Sequence, residues 1–121
     1  MKIRIKGNSV RFRLTKTEVE TFGKTGSIAE VTHFESKAFT YALVAKSGIT
    51  ELEADFVDSA ITIYFPKSEQ ESWVTNQKVG YSNSADWNDP RALSLLVEKD
   101  FTCLDNTIED QSDNYPNPKL A

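Results

Sequence analysis

The 121-residue sequence holds one cysteine, one histidine, one methionine, five glycines and four prolines. A lone Cys103 excludes an intramolecular disulfide and an all-cysteine metal cage, so packing has to hold the fold. A lone His33 excludes a histidine-rich zinc site and leaves a Ser-His-Asp triad with no supporting motif. The few glycines fall in the wrong places for a phosphate loop. Gly23-Lys24-Thr25 imitates its end, but Glu18 occupies the position of the earlier glycine, and no Gly-x-Ser-x-Gly elbow occurs. No apolar run approaches the roughly 18 to 20 residues that a membrane helix needs. Lys2, Arg4 and Lys6 interrupt the stretch where a secretory signal would carry its apolar core. The expectation is a cytoplasmic chain with no membrane partner.

What is present is enough to build a core. Hydrophobic residues make up 39% of the chain and aromatics 11%, which argues against wholesale disorder. The length suits one domain over residues 1–121, with residues 102–121 an acidic segment that belongs to that domain or docks on it as a tail. A net charge of -4 and a pI near 5.0 argue against nucleic acid as a general partner. The charge is divided unevenly. Residues 1–46 hold nine Lys or Arg against four Glu, and residues 47–121 hold five against fourteen acidic residues. Such a split signals an oppositely charged partner, or two parts of one domain that complement each other.

Residues 2–6 and 9–14 alternate charged with apolar side chains around Gly7-Asn8, the pattern of a hairpin with a two-residue type II′ turn. That loop sets Lys6 opposite Ser9, Arg4 opposite Arg11 and Lys2 opposite Arg13. One face then carries Ile3, Ile5, Val10, Phe12 and Leu14, and the other Lys2, Arg4, Lys6, Arg11 and Arg13. A helix over roughly 16–22 follows. Its signals are a Thr15/Glu18 capping box, a Leu14/Val19 staple and Gly23 as the left-handed stop.

From about 27 to 66 the period becomes two. A strand over 27–34 has an open register, since Val31/His33 and Ile28/Phe34 compete for the core. Strand 38–46 offers Phe39, Tyr41 and Leu43. A Ser47-Gly48 turn would pair them with Phe56, Ala54 and Leu52, and an Asp58-Ser59 turn would pair those in turn with Ile61, Ile63 and Phe65. The opposite face of this meander carries Glu51, Glu53 and Asp55. Pro66, Ser68 and Glu71 predict a second short helix to about Val74 with Trp73 buried, followed by an edge strand near 78–83 and a last strand from Leu93 to Phe101. The fold class is therefore α+β: about seven strands in a predominantly antiparallel sheet, a meander either open or partly closed into a barrel, with two short helices.

The stretch Met1 to Ser9 with Arg11, Arg13 and Thr15, together with Glu98 to Phe101, Cys103 to Asp105, Glu109-Asp110 and Tyr115-Pro116-Asn117-Pro118, resembles a family of small uncharacterised bacterial proteins, a domain of unknown function. The similarity covers essentially the whole chain and implies no activity, substrate or cofactor.

Function must then be read from the residues. Like charges facing each other across two strands repel by a few tenths to about 1 kcal/mol per pair, so the cationic face needs an anionic neighbour or full solvation. Internal pairing with Glu51, Glu53, Asp55 or the acidic C-terminal segment is the commoner outcome. Plain exposure as a charged edge is a second, and an anionic ligand such as a phosphate held by convergent Arg and Lys a third. The leading expectation is a small binding or interaction module, non-enzymatic and without a cofactor, whose usable surface is the cationic hairpin, where Lys2, Arg4, Lys6, Arg11 and Arg13 would take an anionic ligand or a protein partner, or the acidic C-terminal segment. The alternative is a small metal-assisted phosphohydrolase resembling triphosphate-tunnel enzymes, with Glu51, Glu53 and Asp55 holding a divalent cation. Against it, the opening strand lacks the Glu-x-Glu-x-Lys of such enzymes, and the chain is short for their barrel. Cys103 reads as a packed thiol beside Phe101 and Leu104. Asp105, Thr107, Glu109 and Gln111 break the order of an EF-hand. Of the tryptophans, only Trp87, in a polar loop, reads as a binding contact.

Overall fold

The computed structural model describes residues 1–86, 88–101 and 112–116. Trp87, Cys103, Asp105, Glu109 and Asp110 lie outside the described residues. The opening hairpin forms as its alternation dictates. Strands β1 (Lys2–Lys6) and β2 (Ser9–Leu14) pair antiparallel, with Lys6 opposite Ser9, Arg4 opposite Arg11 and Lys2 opposite Arg13. Gly7 has φ +55° while Asn8 keeps a negative φ, which is the type II′ requirement.

Helix α1 (Lys16–Thr25) starts at the expected capping box, with the Thr15 side chain accepting from Glu18 N–H and the Glu18 carboxylate accepting from Thr15 N–H. It ends later than expected. Gly26, not Gly23, is the left-handed cap (φ 76°), and its N–H donates to Phe22 O. Gly23 lies on the buried side of the helix, where any side chain would run into Val74. Its missing Cβ serves packing, and the helix passes through it.

Strands β3 (Ser27–His33), β4 (Ala38–Lys46), β5 (Glu53–Val57) and β6 (Ala60–Pro66) form a sheet in the order β3-β4-β6-β5. The open register of β3 resolves in favour of Ile28, which packs on the core, while Val31 and Phe34 are exposed. The Asp58-Ser59 turn pairs Phe56 with Ile61 and Ala54 with Ile63 as expected. The Ser47-Gly48 hairpin does not form. Instead β4 runs parallel to β6, with Tyr41 opposite Ile61 and Leu43 opposite Ile63. Alternation assigns a face, and that face is right, but it does not choose the neighbouring strand. The most apolar strand, β6, with Ile63 and Phe65 fully buried, takes the centre, and the carboxylate-bearing β5 takes the edge, where its charges stay solvated. Leu52 leaves the ladder and is buried in the core from a loop, its N–H donating to Ser82 O.

The expected second helix is a short turn of α-helix, α2 (Lys67–Gln70), followed by a 3₁₀ turn (Ser72–Val74) that buries Trp73 completely. Strands β7 (Gly80–Ser82) and β8 (Ser94–Lys99) then return to the hairpin. This sheet has the order β1-β2-β8-β7, with β8 parallel to β2. The α+β reading holds, with mostly antiparallel pairing and two short helices. The single meander or partly closed barrel is replaced by two four-stranded sheets. Their inner faces share one core: Phe12, Leu14 and Val97 from the first sheet, Leu43, Ile63 and Phe65 from the second, and Val19 and Phe22 from α1. Ring contacts cross between the sheets, Phe12 to Tyr41 at 5.7 Å and Phe65 to Tyr81 at 4.6 Å. Each such side chain contributes about 1.5–3 kcal/mol when buried. No helix among the described residues is long and apolar enough to cross a membrane.

Candidate functional site

The alternation of β1 and β2 that sends Phe12 and Leu14 inward sends Lys2, Arg4, Lys6, Arg11 and Arg13 to the outer face of the first sheet, so all five predicted cations are brought together. Arg4 faces Arg11 directly, and Lys2 faces Arg13. Two grooves run over this surface. One, of about 280 Å³, is lined by Lys2, Ile3, Arg4, Arg11 and Arg13. The other, of about 230 Å³, is lined by Arg4, Lys6, Ser9 and Arg11. Arg4 and Arg11 belong to both.

The partners of this face come from an unexpected place. Glu98 of β8, opposite Arg13 in the parallel ladder, accepts from Arg13 Nε at 3.0 Å and lies 3.6 Å from Arg11 Nε. Asp100, 5% exposed, approaches Lys2 Nζ to 3.1 Å through Oδ2, an atom with no hydrogen bond. Arg4 and Lys6 make no ion pair with a described residue. Among the described residues, two carboxylates thus offset part of the charge where the face meets the C-terminal end of β8, and none pairs with Arg4 or Lys6 toward the turn.

The three predicted metal ligands are not on this face. Glu51 precedes β5 and accepts from Ser84 N–H at 2.6 Å, Glu53 pairs with Lys46 at 3.3 Å, and Asp55 accepts from Phe56 N–H at 2.8 Å. Among the described residues, no group of three or more His, Cys, Asp or Glu is placed to hold a metal ion. His33 is exposed at the end of β3. The described part of the acidic C-terminal segment docks on the start of α1 and not on the hairpin: Asp113 Oδ1 accepts from Thr17 Oγ1 at 2.9 Å, and Asp113 O accepts from Lys16 N–H at 3.1 Å.

Sequence reasoning missed the part played by β8. Glu98 and, just past the strand, Asp100 share one parity, while Leu95, Val97 and Lys99 share the other; of these five only Glu98 is not buried. The parity of Lys99 was visible in the sequence. The meeting of Glu98 with two arginines about 85 residues away depends on a parallel register that no local pattern encodes.

Comparison with known proteins gives a family but no activity. A family model described as "Family of unknown function (DUF7009)" matches residues 1–119. No curated protein and no solved structure matches the chain.

Proposed function

Because the chain belongs to DUF7009, a family of unknown function, its role has to be read from its own residues, and we propose that it is a binding module for a small multiply charged anion of the phosphate or pyrophosphate class. The observation that carries this reading is the imbalance along one face. Glu98 and Asp100 engage Arg11, Arg13 and Lys2, whereas Arg4 and Lys6, which line the turn-end groove with Arg11, have no carboxylate partner among the described residues. Holding Arg4 opposite Arg11 costs a few tenths to about 1 kcal/mol, and an anion between them would reverse the sign of that interaction. Guanidinium groups suit the task because their planar donors match phosphate oxygens two at a time.

Thermal denaturation with phosphate, pyrophosphate or triphosphate tests the proposal. An anion at about one hundred times its dissociation constant stabilises by about 2.7 kcal/mol, a rise of several degrees that shrinks with added salt and is lost in Arg4→Ala. An absence of any shift, or an equal shift in Arg4→Ala, overturns the reading. Release of inorganic phosphate from triphosphate on adding magnesium would instead report the metal-assisted hydrolase.

A further inference from the structure

On the far side of the first sheet from the cationic face, β8 sends Lys99 inward. The residue is 7% exposed, and its ammonium donates to Asn76 O at 2.9 Å. Its Nζ lies 5.2 Å from the centre of the Tyr115 ring and 5.9 Å from that of Trp73. A cleft of about 530 Å³ opens beside it, walled by Val74, Lys78, Val79, Phe101 and Tyr115. Lys78, on the wall of this cleft, pairs with Glu69, and Asp100, next in the chain, pairs with Lys2. No described carboxylate lies within ion-pair distance of Lys99.

We propose that Lys99 is a carbonyl-reactive amine, and that the aromatic-walled cleft admits a small uncharged aldehyde or ketone to condense with its Nζ. The chemistry follows from the surroundings. With one hydrogen bond for three donors and no carboxylate partner among the described residues, the protonated form keeps only the Asn76 carbonyl and the two ring faces in exchange for water, and burial pushes the Lys99 ammonium below its ordinary pKa. The free amine is correspondingly more abundant than on a solvated lysine, and free amine is the nucleophile. After the ammonium gives one proton to solvent, the nitrogen lone pair forms a C–N bond to the carbonyl carbon. The carbonyl oxygen takes up protons and leaves as water, and the nitrogen sheds its two hydrogens, so that amine and carbonyl give imine and water. Phe101 and Tyr115 would flank the apolar part of such a ligand.

The test uses the intact protein with a limiting amount of propanal and cyanoborohydride at about pH 8, where ordinary lysines remain mostly protonated, followed by peptide mapping. Lys78, exposed at the rim of the same cleft, is the internal reference. Lys99 is expected to be modified severalfold faster than Lys78, with no protection by pyrophosphate, which separates this site from the cationic face. In Lys99→Arg, checked for its native circular dichroism, the fast phase should vanish. Modification of Lys99 no faster than Lys78, or only after denaturation, overturns the proposal, as does a fast phase that survives in Lys99→Arg.

Discussion

The two sheets are built to one plan and differ in what they show to solvent. In each, two antiparallel pairs join through parallel central strands, β2 with β8 and β4 with β6. On the second sheet the alternation leaves Ala38, Thr40, Ala42 and Val44 of β4 and Thr62 and Tyr64 of β6 outward, and its one strand-to-strand ion pair, Lys46 with Glu53, sits over Tyr64 with Nζ 4.9 Å from the ring centre. On the first sheet the same positions carry five cations against Glu98 and Asp100. Shared topology with such different exteriors shows that the positive excess is not a by-product of the architecture. It comes from the outward side chains of residues 2–13, whose inward side chains Val10 and Phe12 belong to the core.

The inner faces of the two sheets carry the largest expected effects. Phe12→Ala in the first sheet and Leu43→Ala in the second should each cost about 2–5 kcal/mol in urea denaturation, because both side chains are fully buried in one core. A neutral result at either position would mean that the sheets do not depend on each other. Next in size is Gly80→Ala, where a Cβ would meet the carbonyl oxygen of Val97 and the side chain of Glu98. Backbone cannot retreat as a side chain can, so a loss of about 1–3 kcal/mol is expected, together with weaker pairing of β7 to β8.

A third effect is pH-dependent and lies where the sheets meet. Burial raises the pKa of Glu18, yet the hydrogen bond and charge of the Met1 ammonium, with the capping bonds from Thr15, hold the carboxyl below its ordinary value. A depressed carboxyl stabilises the fold above the unfolded pKa, near 4.5, and that contribution is lost as pH falls through the folded value. Glu18→Gln should flatten the acid limb of stability against pH while leaving the core transitions in place.

The smallest effects separate the outer faces. Glu98→Gln should lower stability by less than about 1 kcal/mol, as expected for a partly exposed pair, while tightening pyrophosphate binding measured by calorimetry, since Arg11 and Arg13 lose their competitor. Arg4→Ala should raise stability by a few tenths to about 1 kcal/mol through relief of its repulsion with Arg11, at the expense of anion binding.

The parts of the fold that were legible in the sequence are those fixed within a few residues. The Gly7-Asn8 hairpin register, the Thr15/Glu18 box and the Asp58-Ser59 turn each follow from local chemistry and stand as read. What was illegible are the two parallel pairings. Tyr41, Leu43, Ile61 and Ile63 share a face under either strand order, so the apolar pattern is equally satisfied by the meander and by the observed sheet. The site divides in the same way. The five cations were visible because one strand pair carries them all, whereas Glu98 reaches them only through β2 and β8. Glu51 and Leu52 misled for a related reason: their alternation continues that of β5, but a loop that hands Leu52 to the core and Glu51 to Ser84 interrupts the ladder.

The parallel union of β2 with β8 has a consequence in time. Residues 9–14 leave the ribosome well before residues 94–99, the neighbour that completes their hydrogen bonding, and the second sheet is encoded between them. Pairing over such a separation is slow, because the intervening chain must be ordered before the ends can meet. Until then β2 presents an open border to any extended segment nearby, and three charged residues on β1 with two on β2 give the nascent hairpin a repellent coat against copies of itself while it waits.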